Sequence, residues 1–270
     1  LAPKFINGKV KIENIDLSLS NTRIQNIKLY DENNSLILDV PKIDAKTSIG
    51  NLVKGRIDEI DINSAKVYAV RDKDGIINFT KLSKTKSESK PKNPVDKVVI
   101  SNLEVNYEDY GFENKLERKI ENINAEITST KAKLVDGANI KIDDKNINLT
   151  LLFNDKSEND SANLDLKLKI DKFLIDKDLL TSLIKNNPKL HLSDFNLTSD
   201  LTINTDKTME NTKINGDLNL NIPYFRFDDI DTNIKNINLS GNFAGQDGTV
   251  KLGMNIFEKD KEFVANRYYE

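Results

Sequence analysis

Apolar and polar residues alternate with a period of two along most of this 270-residue chain. Successive side chains on an extended strand point to opposite faces, so this pattern gives each strand one aliphatic face and one polar face. Ile147, Leu149, Leu151 and Phe153 make one such set. Leu164, Leu166, Leu168 and Ile170 make another, followed by Leu218, Leu220 and Ile222, and by Val250, Leu252, Met254 and Ile256. Shorter runs occur at Val10 and Ile12, at Ile15, Leu17 and Leu19, at Ile60 and Ile62, and at Ile237 and Leu239. Turn-forming residues separate them at Asp31 to Asn34, Asp72 to Gly75, Asp143 to Asn146 and Gly245 to Gly248. The pattern predicts a mostly β protein.

Helix signals are few. Asp176 to Asn187 places Leu179, Leu180, Leu183 and Ile184 on one face, with Asp176 as N-cap and Pro188 as stop. Ser48 to Lys54 is a shorter candidate, terminated by Gly55, that could cover one end of a β-structure. After the turn at Asp72 to Gly75, Ile76 to Phe79 reads as the return strand of a hairpin.

Two polar breaks interrupt the alternation. Ser83 to Lys97 carries Pro91 and Pro94 and no apolar period, which predicts a flexible linker or loop. Asn154 to Asn163 is the second. The chain therefore divides into an N-terminal β-groove segment (1–82), the linker (83–97) and a continuing β-groove segment (98–270) with a short helix near 176–187. The phrases flanking the linker are alike: Ile60-x-Ile62-x-x-Ala65-x-Val67 aligns with Val98-x-Ile100-x-x-Leu103-x-Val105.

Hydrophobic residues make up 37% and charged residues 31%, a balance that suits a thin sheet with one wet face better than a thick globule. A net charge of −3, no tryptophan and no basic stripe interleaved with aromatics argue against nucleic acid. Without cysteine there are no disulfides or thiolate metal sites. No apolar run approaches the ~20 residues of a membrane-spanning helix. A chain starting at Leu1 reads as a piece of a longer protein whose N-terminal anchor is removed.

Catalytic chemistry is sparse. His191 is the single histidine, set between Leu190 and Leu192 in a strand-like context, and one histidine without cysteine builds no ordinary zinc site. Asp72-Lys73-Asp74-Gly75 lacks the further ligands of a calcium loop and reads as a turn. Asp228-Asp229-x-Asp231 reads as a solvated acidic edge. No phosphate loop, nucleophile elbow or cofactor motif is present, so the expectation is a protein that is not an enzyme and holds no cofactor.

The aliphatic stripes are what remains. They are either the core of a closed sandwich or barrel, or an open apolar face that needs an apolar ligand. On the second reading the lining is Leu149, Leu151, Leu164, Leu166, Leu168, Leu218, Leu220, Val250, Leu252 and Met254.

The order of phrases resembles the N-terminal region of the AsmA/TamB family of bacterial envelope proteins. The similarity runs through Gly8-Lys9-Val10-x-Ile12-x-x-Ile15-x-Leu17, Ile27-x-Leu29-Tyr30-Asp31, Val40-Pro41-x-Ile43-x-Ala45 and Ile60-x-Ile62. Arg71-Asp72-x-Asp74-Gly75-x-x-Asn78-Phe79, followed by a polar linker, is its most specific part. Ile222-Pro223-Tyr224 and Ile234-Lys235-x-Ile237-x-Leu239-x-Gly241 are similar in style. The resemblance implies an elongated, curled β-groove, tethered to the inner membrane and crossing the periplasm. It implies transport of phospholipid by its acyl chains towards the outer membrane. In one branch of the family it also implies a part in outer-membrane protein assembly and secretion with a barrel partner that binds a further C-terminal region. It carries over no catalytic residue. Roughly twenty strands stacked at ~4.8 Å would make a groove on the order of 90–100 Å long. A structural or adhesive β-rich surface protein, or a chaperone-like groove for outer-membrane strands, are the alternatives.

Overall fold

The structure is a computed structural model that describes residues 7–18, 20–82, 94–112, 115–130, 133, 135–156, 164–176, 189–206, 211–227, 232–245, 247–258 and 261–269, the last two segments by their backbone. The described residues form seventeen strands, one short α-helix and one 3₁₀ helix, so the protein is mostly β as its alternation requires. No helix among them is long and apolar enough to cross a membrane. The chain divides into two compact units, 1–144 and 145–270.

The first unit contains β1 (Lys9–Lys11), β2 (Asn14–Leu17), β3 (Asn21–Tyr30), β4 (Leu36–Lys46), α1 (Ile49–Val53), β5 (Ile57–Asn63), β6 (Lys66–Arg71), β7 (Val95–Asp109), β8 (Leu116–Thr128) and β9 (Gly137–Asp143). β3 pairs antiparallel with β1 and β2 on one side and with β4 on the other. β4 pairs antiparallel with β5 and β6. β5 and β6 both run parallel to β7, after which β8 and β9 follow antiparallel. A parallel step needs a long return connection, and the chain between Arg71 and Val95 supplies it. The strand after it starts earlier than composition suggests. Val95 to Lys97, expected within the linker, already belong to β7. Lys97 lies between Glu59 at 3.7 Å and Glu126 at 3.1 Å on the polar face, so its charge is a strand feature rather than a loop signal.

The Asp-Gly-x-x-Asn phrase has a local structural cause. The Asp72 carboxylate accepts the backbone N–H groups of Asp74 (3.0 Å) and Ile76 (2.8 Å), and Gly75 closes the turn at φ 81°. Ile76 to Phe79 does not return as a strand. A single bridge joins Ile77 to Arg71, and a 3₁₀ helix covers Asn78–Leu82. The Asn78 side chain replaces the missing strand: its Oδ1 accepts Val70 N–H (3.2 Å) and its Nδ2 donates to the Tyr68 carbonyl (2.8 Å). One amide thus satisfies two edge groups of β6 that a return strand would otherwise pair.

Opposite Arg71, at the same end of β6, Asp109 of β7 is 3% exposed and accepts from Arg71 (3.1 Å), the Tyr107 hydroxyl (2.6 Å) and the Gly111 N–H (2.8 Å). Burial pushes its carboxyl upward, but these donors outweigh burial and hold it below the usual carboxylate range. Burial and the Asp109 carboxylate push the Tyr107 phenol up to about 12.

The second unit is a meander of β10 (Ile147–Asp155), β11 (Leu164–Ile175), β13 (Phe195–Thr205), β14 (Lys213–Phe227), β15 (Thr232–Gly245), β16 (Asp247–Glu258) and β17 (Lys261–Tyr269), each antiparallel to the next. β12 (Leu190–Leu192) pairs with the end of β14, and its central His191 is exposed. All but the first residue of the helix expected over 176–187 lies outside the described residues, as does the acidic cluster at 228–231.

A repeated device breaks the alternation without changing faces. Asn26, Ser64, Asn102, Asn122 and Asn236 have left-handed φ values of 52°, 57°, 55°, 54° and 51°. Each is third in a phrase that starts and ends apolar, such as Ile100-Ser101-Asn102-Leu103 or Ile234-Lys235-Asn236-Ile237. The left-handed residue takes up one position, so the next apolar side chain returns to the face of the previous one. Asparagine tolerates this conformation at low cost. The register shifts between Ile100 and Leu103, between Lys235 and Asn238, and, without a left-handed residue, between Ile170 and Phe173. Such irregularities bend a strand and raise its twist. The aligned phrases on either side of the polar connection are these bulged strands.

Candidate functional site

Cross-strand register joins the aliphatic stripes into rows. In the second unit one row runs Leu151, Leu168, Leu201, Gly216, Phe243. Its neighbour runs Leu149, Ile170, Ser199, Leu218, Gly241, with Val250 next in register. A third runs Phe153, Leu166, Ile203, Ile214. On the other side Phe173, Leu197, Leu220 and Leu239 continue to Leu252. Leu164 opens the same face of β11, and Met254, two positions beyond Leu252, stands opposite Ala265. All ten candidate positions therefore share one face of one sheet.

Intermediate exposure dominates that face among the described residues. Most described members of the rows are half-buried; Ile170 (8% exposed), Ser199 (5%) and Gly241 are buried, and Ile170 is the buried apolar side chain among those described in this unit. The strand pairings build a single layer, with no second sheet laid on these rows among the described residues. The reverse face is amide- and charge-rich. Asn204 donates to Asp165 (2.5 Å), Asn242 to Asp217 (2.7 Å) and Asn221 to Asn238 (2.5 Å) across neighbouring strands.

The sequence reading names no lining residues in the first unit, where the arrangement is repeated. Ile15, Ile24, Ile43, Ile62, Ile100, Ala125 and Ile140 form one row. Val10, Leu29, Leu38, Val67, Val105 and Ile120 form another. The signal was the apolar-x-x-apolar spacing, which looks like a loss of period until a bulge is placed in it. This unit holds more buried apolar side chains: Ile37, Val40, Ala65, Ala69, Leu116 and Ile123.

The polar face of the first unit carries a charge ladder. Lys46 contacts Glu59 and Asp61, both at 2.6 Å, and these two carboxylates raise its pKa, Asp61 first. Glu104 lies between Lys66 at 3.8 Å and Lys119 at 3.2 Å. These exposed pairs fix neighbours on the sheet and contribute little stability. A cavity of about 170 Å³ beside Val70 is bordered by Asp31 and Asp72. Both carboxylates are taken up by backbone N–H groups of their own turns, so the cavity marks turn chemistry.

A comparison with protein-family models finds no match, and no curated protein and no solved structure is similar to the chain. What the geometry offers chemically is a broad aliphatic face with a hydrated back.

Proposed function

We propose that this chain is a non-enzymatic lipid conduit of the bacterial envelope, working in the periplasm between inner and outer membranes like the AsmA/TamB proteins it resembles. One observation carries the reading: cross-strand aliphatic rows on a single-layer sheet, half-exposed, in a chain whose other face is polar. Phospholipid acyl chains suit such a face. Each buried CH₂ gains ~0.8 kcal/mol, and a chain laid across several rows removes water from protein and lipid alike. The rows present no hydrogen-bonding pattern that would select one acyl chain over another. Transport is then movement along the face with the headgroup in solvent, and no covalent step is called for. Tethering to the inner membrane, and a contribution to outer-membrane protein assembly with a barrel partner, belong to the same proposal.

Native mass spectrometry with lipid extraction, on protein purified from bacteria, tests it. Phospholipid retained in proportion to protein is the expected result. A stable protein free of lipid would sink the conduit reading in favour of a structural or assembly role.

A further inference from the structure

Helix α1 is amphipathic in the reverse sense. A surface helix ordinarily turns its apolar side to the protein and its polar side to water. Here the polar side is the one tied down. The Asp58 carboxylate accepts the Ser48 N–H and the Asn51 side-chain amide, and Asn51 also reaches Asp96 at 3.4 Å. Arg56 pairs with the same Asp96. The apolar side faces out: Ile49 is 73% exposed, Leu52 50% and Val53 84%. Leu17, 78% exposed, stands at the same end of the sheet, because it pairs with Thr22, which pairs with Ala45 just before the helix. From Thr47 to Arg56 the chain carries no acidic residue, and Lys54 has no ion-pair partner among the described residues.

Four outward aliphatic side chains, three of them on a helix held by polar anchors, need a cover. A protein partner would want about 800 Å² of patch with aromatic or arginine anchors. This tip is a single five-residue helix and one leucine, too small and without such anchors. A bilayer asks for neither area nor shape complementarity: aliphatics enter it one by one, and Lys54, without an ion-pair partner among the described residues, favours anionic headgroups. The row of Ala45, Ile60, Val98 and Ile127 continues directly from this rim into the aliphatic face. We infer that the rim carried by α1 and Leu17 docks on a phospholipid membrane surface and puts the aliphatic rows of the first unit in contact with its acyl region. The second half of this statement rests on the conduit reading, while docking stands on the rim itself.

Flotation with vesicles of phosphatidylethanolamine and phosphatidylglycerol tests docking. The unaltered chain floats, and the Leu52→Asp/Val53→Asp variant loses binding by about tenfold or more while keeping its strand circular dichroism. Because the chain has no tryptophan, a Val53→Trp variant reports insertion directly, and its emission shifts to the blue on vesicles. Leu166→Asp, on the apolar face of the second unit, floats like the unaltered chain but retains no lipid. An unaltered chain that stays with the protein fraction, or Val53→Trp emission that does not move, overturns the docking inference and leaves the conduit reading standing. Flotation without retained lipid does the reverse. Concentration-dependent dimers dissolved by Val53→Asp, without flotation, would also overturn it and assign the rim to a second copy of this chain.

Discussion

Asn102 of β7 and Asn122 of β8 interrupt neighbouring strands, both in the left-handed conformation, at φ 55° and 54°. At Asn102 the register moves from Ile100 opposite Ala125 to Leu103 opposite Ile123, and at Asn122 it moves again to Val105 opposite Ile120. The paired irregularities keep Val98, Ile100, Leu103 and Val105 on one face although their spacing is not uniform.

Replacing Asn102 by valine should therefore destabilise the first unit by ~1–2 kcal/mol, since a β-branched residue disfavours left-handed φ. Asn102→Gly should be near neutral. Urea titration of both variants reads the difference. Equal midpoints for valine and glycine would show that the left-handed position is not required.

Leu166→Asp should leave the fold intact. Leu166 is half-buried on a single-layer face, so an introduced carboxylate stays hydrated, whereas in a closed core it would cost several kcal/mol. Circular dichroism and melting should change little while co-purifying lipid falls. A collapse of the melting transition would place Leu166 in a closed core.

Gly216 sits at φ 122° beside Leu201 of the next strand, and a Cβ there would lie 1.8 Å from the Asp200 carbonyl oxygen. Gly216→Ala should cost at least ~2 kcal/mol, since backbone must move to relieve both the contact and the strain. A melting curve unchanged from the parent would contradict this local geometry.

Asp109 gives the pH dependence. Its pKa lies below the ordinary value of ~3.9, so its ionised form stabilises the fold fully above that value, and the contribution disappears as pH falls through the depressed value. Asp109→Asn should cost ~1–3 kcal/mol at neutral pH. The gap between parent and variant should hold steady above about pH 5 and narrow below about pH 4. Tyr107 acts at the other extreme: its raised phenol contributes below about pH 10 and loses that contribution towards pH 12. A parent–variant gap independent of pH down to acid unfolding would remove Asp109 from this account.

The period of two fixed a good deal before any coordinates. An aliphatic residue at every second position can be hidden only on one face of a strand, so the β class, the turns at Asp31 and Asp72 and the shared face of Leu149 to Leu220 were legible in the order of residues. Local chemistry misled where a side chain could imitate a strand: Asn78 satisfies Val70 and Tyr68 of β6, and Ile76 to Phe79 makes a single bridge, Ile77 to Arg71, in place of the return strand the sequence implied. It misled again at Val95 to Lys97, where charge on a wet face resembles a linker. Only tertiary structure decided which stripes stand opposite which, that β5 and β6 run parallel to β7, and that α1 turns its apolar side outward. Periodicity is a property of single strands. Register, and the choice of which face water keeps, depend on hydrogen bonds and packing between segments far apart in the chain, such as Asp58 with Asn51 or Leu168 with Leu201.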